Sequence, residues 1–120
     1  MVRKASLTTE DKIKLALSAI SDRKGLDAVT LDVRDRTPMT DYFVIATGTS
    51  DVHIKAIVDR IVELFADKGM RNKRIEGYEE AVWVLLDYGD VIIHVFAPEQ
   101  RRFYDLESFW TGREAITPHL

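Results

Sequence analysis

The chain has 120 residues, 46% of them hydrophobic, a net charge of −3 and no cysteine. This length suits one domain with one real core, and this hydrophobicity excludes a disordered chain. The acidic balance argues against a general nucleic-acid binder, and the missing cysteine excludes a disulfide framework and a thiolate metal site.

Met1 to Leu7 read as a loose arm, residues 8–110 as the folded domain and Thr111 to Leu120 as a tail. The opening MVRKASLTTEDK has no hydrophobic segment after its basic residues, so no secretory signal is expected. No apolar run reaches membrane-spanning length. With the absence of cysteine, this fits a cytoplasmic protein.

Thr8-Thr9-Glu10-Asp11 reads as a helix start, with acids in the first turn. Ile13, Ala16, Leu17 and Ile20 follow at helical spacing, and Lys24-Gly25 reads as the stop. Val29, Leu31 and Val33 then alternate with Thr30 and Asp32, which predicts a half-buried strand over 27–33. A polar loop from Arg34 to Thr40 leads to the fully apolar strand Tyr42 to Ala46. Ser50 is placed to cap the next helix, which carries Ile54, Ile57, Val58, Ile61, Val62 and Phe65 on its core side and ends at Lys68-Gly69. Arg71, Lys73 and Arg74 form a basic cluster in a connector.

Ala81 to Leu86 and Val91 to Ala97 are apolar runs suited to strands covered on both faces. With Tyr88 and Gly89 as central turn residues they make an antiparallel hairpin. Leu86 then opposes Val91, Val84 opposes Ile93 and Val82 opposes Val95, all on a core face. The other face carries Trp83 opposite His94, Leu85 opposite Ile92, and Asp87 opposite Asp90. Ala97-Pro98-Glu99 starts a last helix, with Phe103, Leu106 and Trp110 at spacings of three and four. Early alternation of strands and helices, followed by a hairpin, predicts a single α/β domain: a mixed β-sheet with flanking helices.

Gly48-Thr49-Ser50 between strand and helix is a place where a phosphate could sit, but it carries neither the Walker lysine pattern nor a dinucleotide fingerprint, and an ordinary capped turn explains it better. Asp87 and Asp90 could share a divalent cation, although flanking a solvated turn accounts for both. His53, His94 and His119 have no metal spacing, and no nucleophile motif accompanies His94. Neither a catalytic residue, a metal nor a cofactor is expected, and the chain is not read as an enzyme. Trp83, Tyr104, Phe109 and Trp110 are a stronger lead, because such aromatics beside charges serve protein-binding hot spots; each would equally well complete the core.

The segments TDYFVIATGTS (40–50), WVLLDYGDVIIHVF (83–96) and FYDLE (103–107) closely resemble the ribosomal silencing factor family, also called the RsfS or Iojap family. The resemblance runs from about Leu15 to Trp110 and favours the short bacterial members. It implies a nucleotidyltransferase-like topology and a translational repressor. Such a protein binds ribosomal protein L fourteen on the large ribosomal subunit and so blocks joining of the small subunit. This chain departs from the enzymes of that fold, whose paired acids are separated by one residue on a strand, whereas two residues separate Asp87 from Asp90 at a turn. The alternative, a nucleotidyltransferase using Gly48-Thr49-Ser50 and Asp87 with Asp90, is thereby disfavoured. The expected contact residues are Trp83 as anchor, Asp87 and Asp90 towards basic side chains, and Tyr104 nearby. The same surface is available for a homodimer; neither a membrane nor a sequence-specific nucleic-acid partner is expected.

Overall fold

A computed structural model describes residues 7–111, and of residues 109–111 the backbone only. In chain order the elements are α1 (Thr9–Asp22), β1 (Leu26–Asp32), β2 (Tyr42–Thr47), α2 (Asp51–Asp67), β3 (Arg74–Glu76), β4 (Trp83–Asp87), β5 (Val91–Phe96), α3 (Pro98–Tyr104) and α4 (Leu106–Thr111). The strands form one sheet in the order β1-β2-β5-β4-β3. β2 and β5 run parallel at its centre, and the other neighbours pair antiparallel. This is the expected α/β domain with a mixed sheet and helices beside it.

Local chemistry starts the two long helices. The Thr8 hydroxyl accepts the Asp11 amide at 3.0 Å and Asp11 accepts the Thr8 amide at 3.2 Å, a reciprocal cap. Ser50 caps α2 by accepting the His53 amide at 3.0 Å. Both helices lie on one face of the sheet. Ala16, Ala19 and Ile20 of α1 and Ile54, Ile57, Val58, Ile61 and Phe65 of α2 pack on Val44, Ala46, Val84, Leu86, Val91, Ile93 and Val95. Burial at about 25 cal/mol per Å² of apolar surface makes this layer the main source of stability. The opposite face holds a smaller cluster of Val33, Phe43, Ile45, Ile92 and Phe96, with Trp83, Leu85 and Leu106 partly buried against it.

The hairpin register differs from expectation by two residues. Leu86 opposes Ile93, Val84 opposes Val95, Leu85 opposes His94 and Trp83 opposes Phe96. The Tyr88 amide donates to the Val91 carbonyl at 2.9 Å, so Gly89 and Asp90 take the central turn positions instead of Tyr88 and Gly89. Gly89 has φ 90°, which suits glycine at the first central position of a tight hairpin turn. A slip of two preserves faces, because side-chain direction repeats every two residues. Val84, Leu86, Val91, Ile93 and Val95 therefore do face the helices. Val82 does not: it precedes β4 and stays 39% exposed. Tyr88 is buried on that face instead, stacked on Phe65 at 3.8 Å between ring centroids.

Two further expectations change. The connector with Arg71, Lys73 and Arg74 contains β3, which pairs with β4 at the sheet edge. The single last helix is two helices, because Asp105 adopts a left-handed conformation at φ 47° between them. The expected arm and tail lie outside the described residues except for Leu7, which packs against the core, and Thr111, the last residue of α4.

Candidate functional site

The face away from α1 and α2 is only partly covered. Along it Trp83, Leu85 and Asp87 of β4 alternate with the inward Val84 and Leu86, as strand geometry requires. Beside them stand Ile92, His94 and Phe96 of β5 and Phe43 of β2. Trp83, Leu85, Ile92, His94, Met39 and Leu106 line a groove of about 310 Å³, with Arg74 at its border.

Aromatic rings run through this face in contact. Phe43 meets His94 edge-on at 4.6 Å, and Trp83 stacks on Phe96 at 5.0 Å. Tyr104 of α3 lies on Trp83 at 4.7 Å, and Phe103 meets Tyr104 edge-on at 5.0 Å. The series ends in solvent, with Tyr104 47% and Phe103 80% exposed. Arg101 sets the position of α3. Its guanidinium donates to the Thr47 hydroxyl at 2.8 Å and to both Glu107 carboxylate oxygens at 3.3 and 2.9 Å. This fork clamps α3 and α4 to the end of β2.

His94 is 3% exposed. Its Nδ1 accepts the Trp83 indole N–H at 3.0 Å. Indole nitrogen only donates, so the ring is neutral with its proton on Nε2. Burial pushes the His94 pKa down to about 3, so the neutral form persists at physiological pH.

The structure brings Trp83, Tyr104 and Asp87 to this side of the sheet but takes Asp90 away. Asp87 accepts the Gly89 amide at 2.8 Å and stands 3.5 Å from Arg74, which meets its charge. Asp90 turns to α1: it pairs with Lys12 at 2.6 Å and accepts the Thr9 hydroxyl. Lys12 also donates to the Tyr88 carbonyl at 2.9 Å. Burial pushes the Asp90 carboxyl up, but the bonds from Lys12 and Thr9 outweigh it and hold it below its ordinary value. Asp90 therefore locks the hairpin turn to α1, and the two aspartates form no joint site. Among the described residues no group of three or more histidine and acidic side chains could hold a metal ion.

Gly48-Thr49-Ser50 is likewise committed internally. The Gly48 amide donates to the Phe96 carbonyl at 2.9 Å, the Thr49 amide to His53 Nδ1 at 2.8 Å, and the Ser50 hydroxyl caps α2. His53 Nε2 lies 2.8 Å from the Arg23 carbonyl, a bond that joins the start of α2 to the end of α1. The Gly48, Thr49 and His53 amides, which a phosphate here would draw on, are thus spent on folding.

Met39, Phe43 and Phe103 belong to this face, yet sequence periodicity did not single them out as site residues. Met39 is 68% exposed in a loop, where no periodicity marks it. Phe103 sits at core spacing but faces water once the helix breaks at Asp105. The side chains of Phe109 and Trp110 lie outside the described residues.

Fold and site together describe a small α/β domain with a partly covered aromatic sheet face. The family profile "Ribosomal silencing factor during starvation" matches residues 6–119. The ribosomal silencing factor RsfS of Bacillus subtilis is 39% identical over 98 residues, 82% of this chain and 83% of that protein. The chloroplastic protein Iojap of Zea mays is 36% identical over 82% of this chain and 42% of its own length. A crystal structure of a protein from Chromobacterium violaceum superposes with a TM-score of 0.85 at 33% identity, covering 92% of this chain and 95% of that one. The chain belongs to the ribosomal silencing factor family.

Proposed function

We propose that this protein docks on ribosomal protein L fourteen of the large ribosomal subunit and sterically blocks the small subunit, repressing translation in the cytoplasm when nutrients are scarce. Membership of the silencing-factor family supports a ribosomal partner. The observation that carries the docking reading is the aromatic face, with Trp83 wedged between Phe96 and Tyr104 and opening into Phe103 and Met39. Tryptophan and tyrosine around an apolar groove are the side chains that concentrate binding energy in protein interfaces. Occupying surface that the small subunit must touch is enough for repression, so no catalytic step is needed. Asp87 with Arg74 forms part of the polar rim, which sets orientation and association rate more than affinity. Asp90 acts in the fold. Two copies pairing through the same face would compete with the ribosome.

The test is a pelleting titration with purified large and small subunits kept separate. The wild type should sediment with the large subunit only. Trp83→Ala should weaken that association by roughly thirtyfold, about 2 kcal/mol. A denaturant melt on the same variant reports any loss of fold. Normal binding by the folded fraction of Trp83→Ala would refute docking through this face.

A further inference from the structure

Trp83 is held by its edge as well as by its faces. Phe96 and Tyr104 limit its tilt, but ring-on-ring contacts allow an indole to slide and swing. The hydrogen bond to His94 Nδ1 is directional. It runs diagonally across the hairpin, since Trp83 opposes Phe96 and His94 opposes Leu85. Ring side chains span such a diagonal. His94 is only 3% exposed at the floor of the groove, so a docked protein would meet far more of the indole than of the imidazole.

We infer that His94 is a positioning residue for docking: it accepts the Trp83 indole N–H from within the sheet and holds the indole in the orientation that the partner meets. This rests on the proposed docking through Trp83. Its benefit is preorganisation, because a side chain already fixed before association loses less freedom on binding. A purely packing role would look different, since it would not depend on whether residue 83 can donate a hydrogen bond.

A double-mutant cycle on the full-length protein separates the two. His94→Leu removes the acceptor, Trp83→Phe removes the donor, and the double variant lacks both. The indole proton resonance of Trp83, identified by its loss in Trp83→Phe, should exchange with solvent slowly in the wild type and at least about tenfold faster in His94→Leu. With Trp83 present, His94→Leu should weaken large-subunit pelleting by about tenfold. In the Trp83→Phe background the same change should cost nothing further, and His94→Gln, which keeps an acceptor oxygen, should retain most of the affinity. Equal losses in both backgrounds would overturn the inference, as would faster indole exchange with unchanged affinity. If His94→Leu does not fold, His94→Phe removes the acceptor while keeping a ring. A wild type that fails to pellet at all would sink the docking reading, and this inference with it, while the exchange data would still report the bond.

Discussion

At the scale of single residues, His94 shows how burial turns a titratable group into a fixed acceptor. The unfolded imidazole gains a proton near its ordinary pKa of about 6.5, whereas the folded one stays neutral down to about 3. Between those values the unfolded state binds more protons, so stability falls as pH falls through this window. Each pH unit well inside it costs about 1.4 kcal/mol from this group alone. Melts at pH 7 and pH 5 should therefore show a loss of roughly 1.5–2 kcal/mol in the wild type that is absent from His94→Leu. A matching loss in both proteins would assign the acid sensitivity to other groups. The pairing of Asp90 with Lys12 and Thr9 is a structural tie, and its lowered pKa keeps that tie charged into more acidic solution than an isolated surface acid would be.

At the scale of elements, the β4–β5 hairpin carries both core residues and the proposed docking face, and the turns around it are tightly specified. Gly77 has φ 82°, and a Cβ there would lie 2.1 Å from the Trp83 carbonyl oxygen. Gly89 has φ 90°, but the nearest atoms to an added Cβ are the ends of Lys73 and Lys12 at 3.7 Å and beyond. Gly77→Ala should thus combine backbone strain with a clash and cost about 2–4 kcal/mol, while Gly89→Ala should cost only the strain, about 1–2 kcal/mol. Denaturant midpoints of the two variants make the comparison. Equal costs would mean that the approach of β4 to Gly77 relaxes freely. The Arg101 clamp is the corresponding device for α3, since it fixes the helix that brings Tyr104 onto Trp83.

At the scale of the whole molecule, the sheet divides the work between its faces. The side under α1 and α2 is a closed, mainly aliphatic layer, and the other is richer in aromatic rings and partly open. Substitutions on the two sides should therefore separate stability from association. Ile57→Ala, in the closed layer, should cost about 2–4 kcal/mol of stability and leave the affinity of the folded fraction unchanged. Tyr104→Ala, on the open side, should cost about 1 kcal/mol or less of stability and weaken large-subunit binding by about tenfold. The pair of measurements is a denaturant melt and the pelleting titration. Ile57→Ala weakening the folded fraction as much as Tyr104→Ala would show that the faces are not independent.

The sequence by itself determined the kinds of element and their faces. Helix caps at Thr8 and Ser50, the aliphatic stripe of α2 and the alternation around Val84 and Trp83 are local patterns, and local backbone geometry enforces them. Even the slipped hairpin kept its two faces, because a shift of two residues leaves the alternation unchanged. The motifs also pointed to the family. Only the tertiary structure decided which residues meet. Asp90 finds Lys12, 78 positions earlier, and so leaves the open face. Arg74 to Glu76 becomes a strand only because β4 offers it an edge, since three residues carry too little periodicity to be read alone. The break at Asp105 places Tyr104 on Trp83, and the diagonal bond places His94 beneath it. These contacts join different elements, and their geometry depends on how strands, turns and helices pack together, which no single element's pattern encodes.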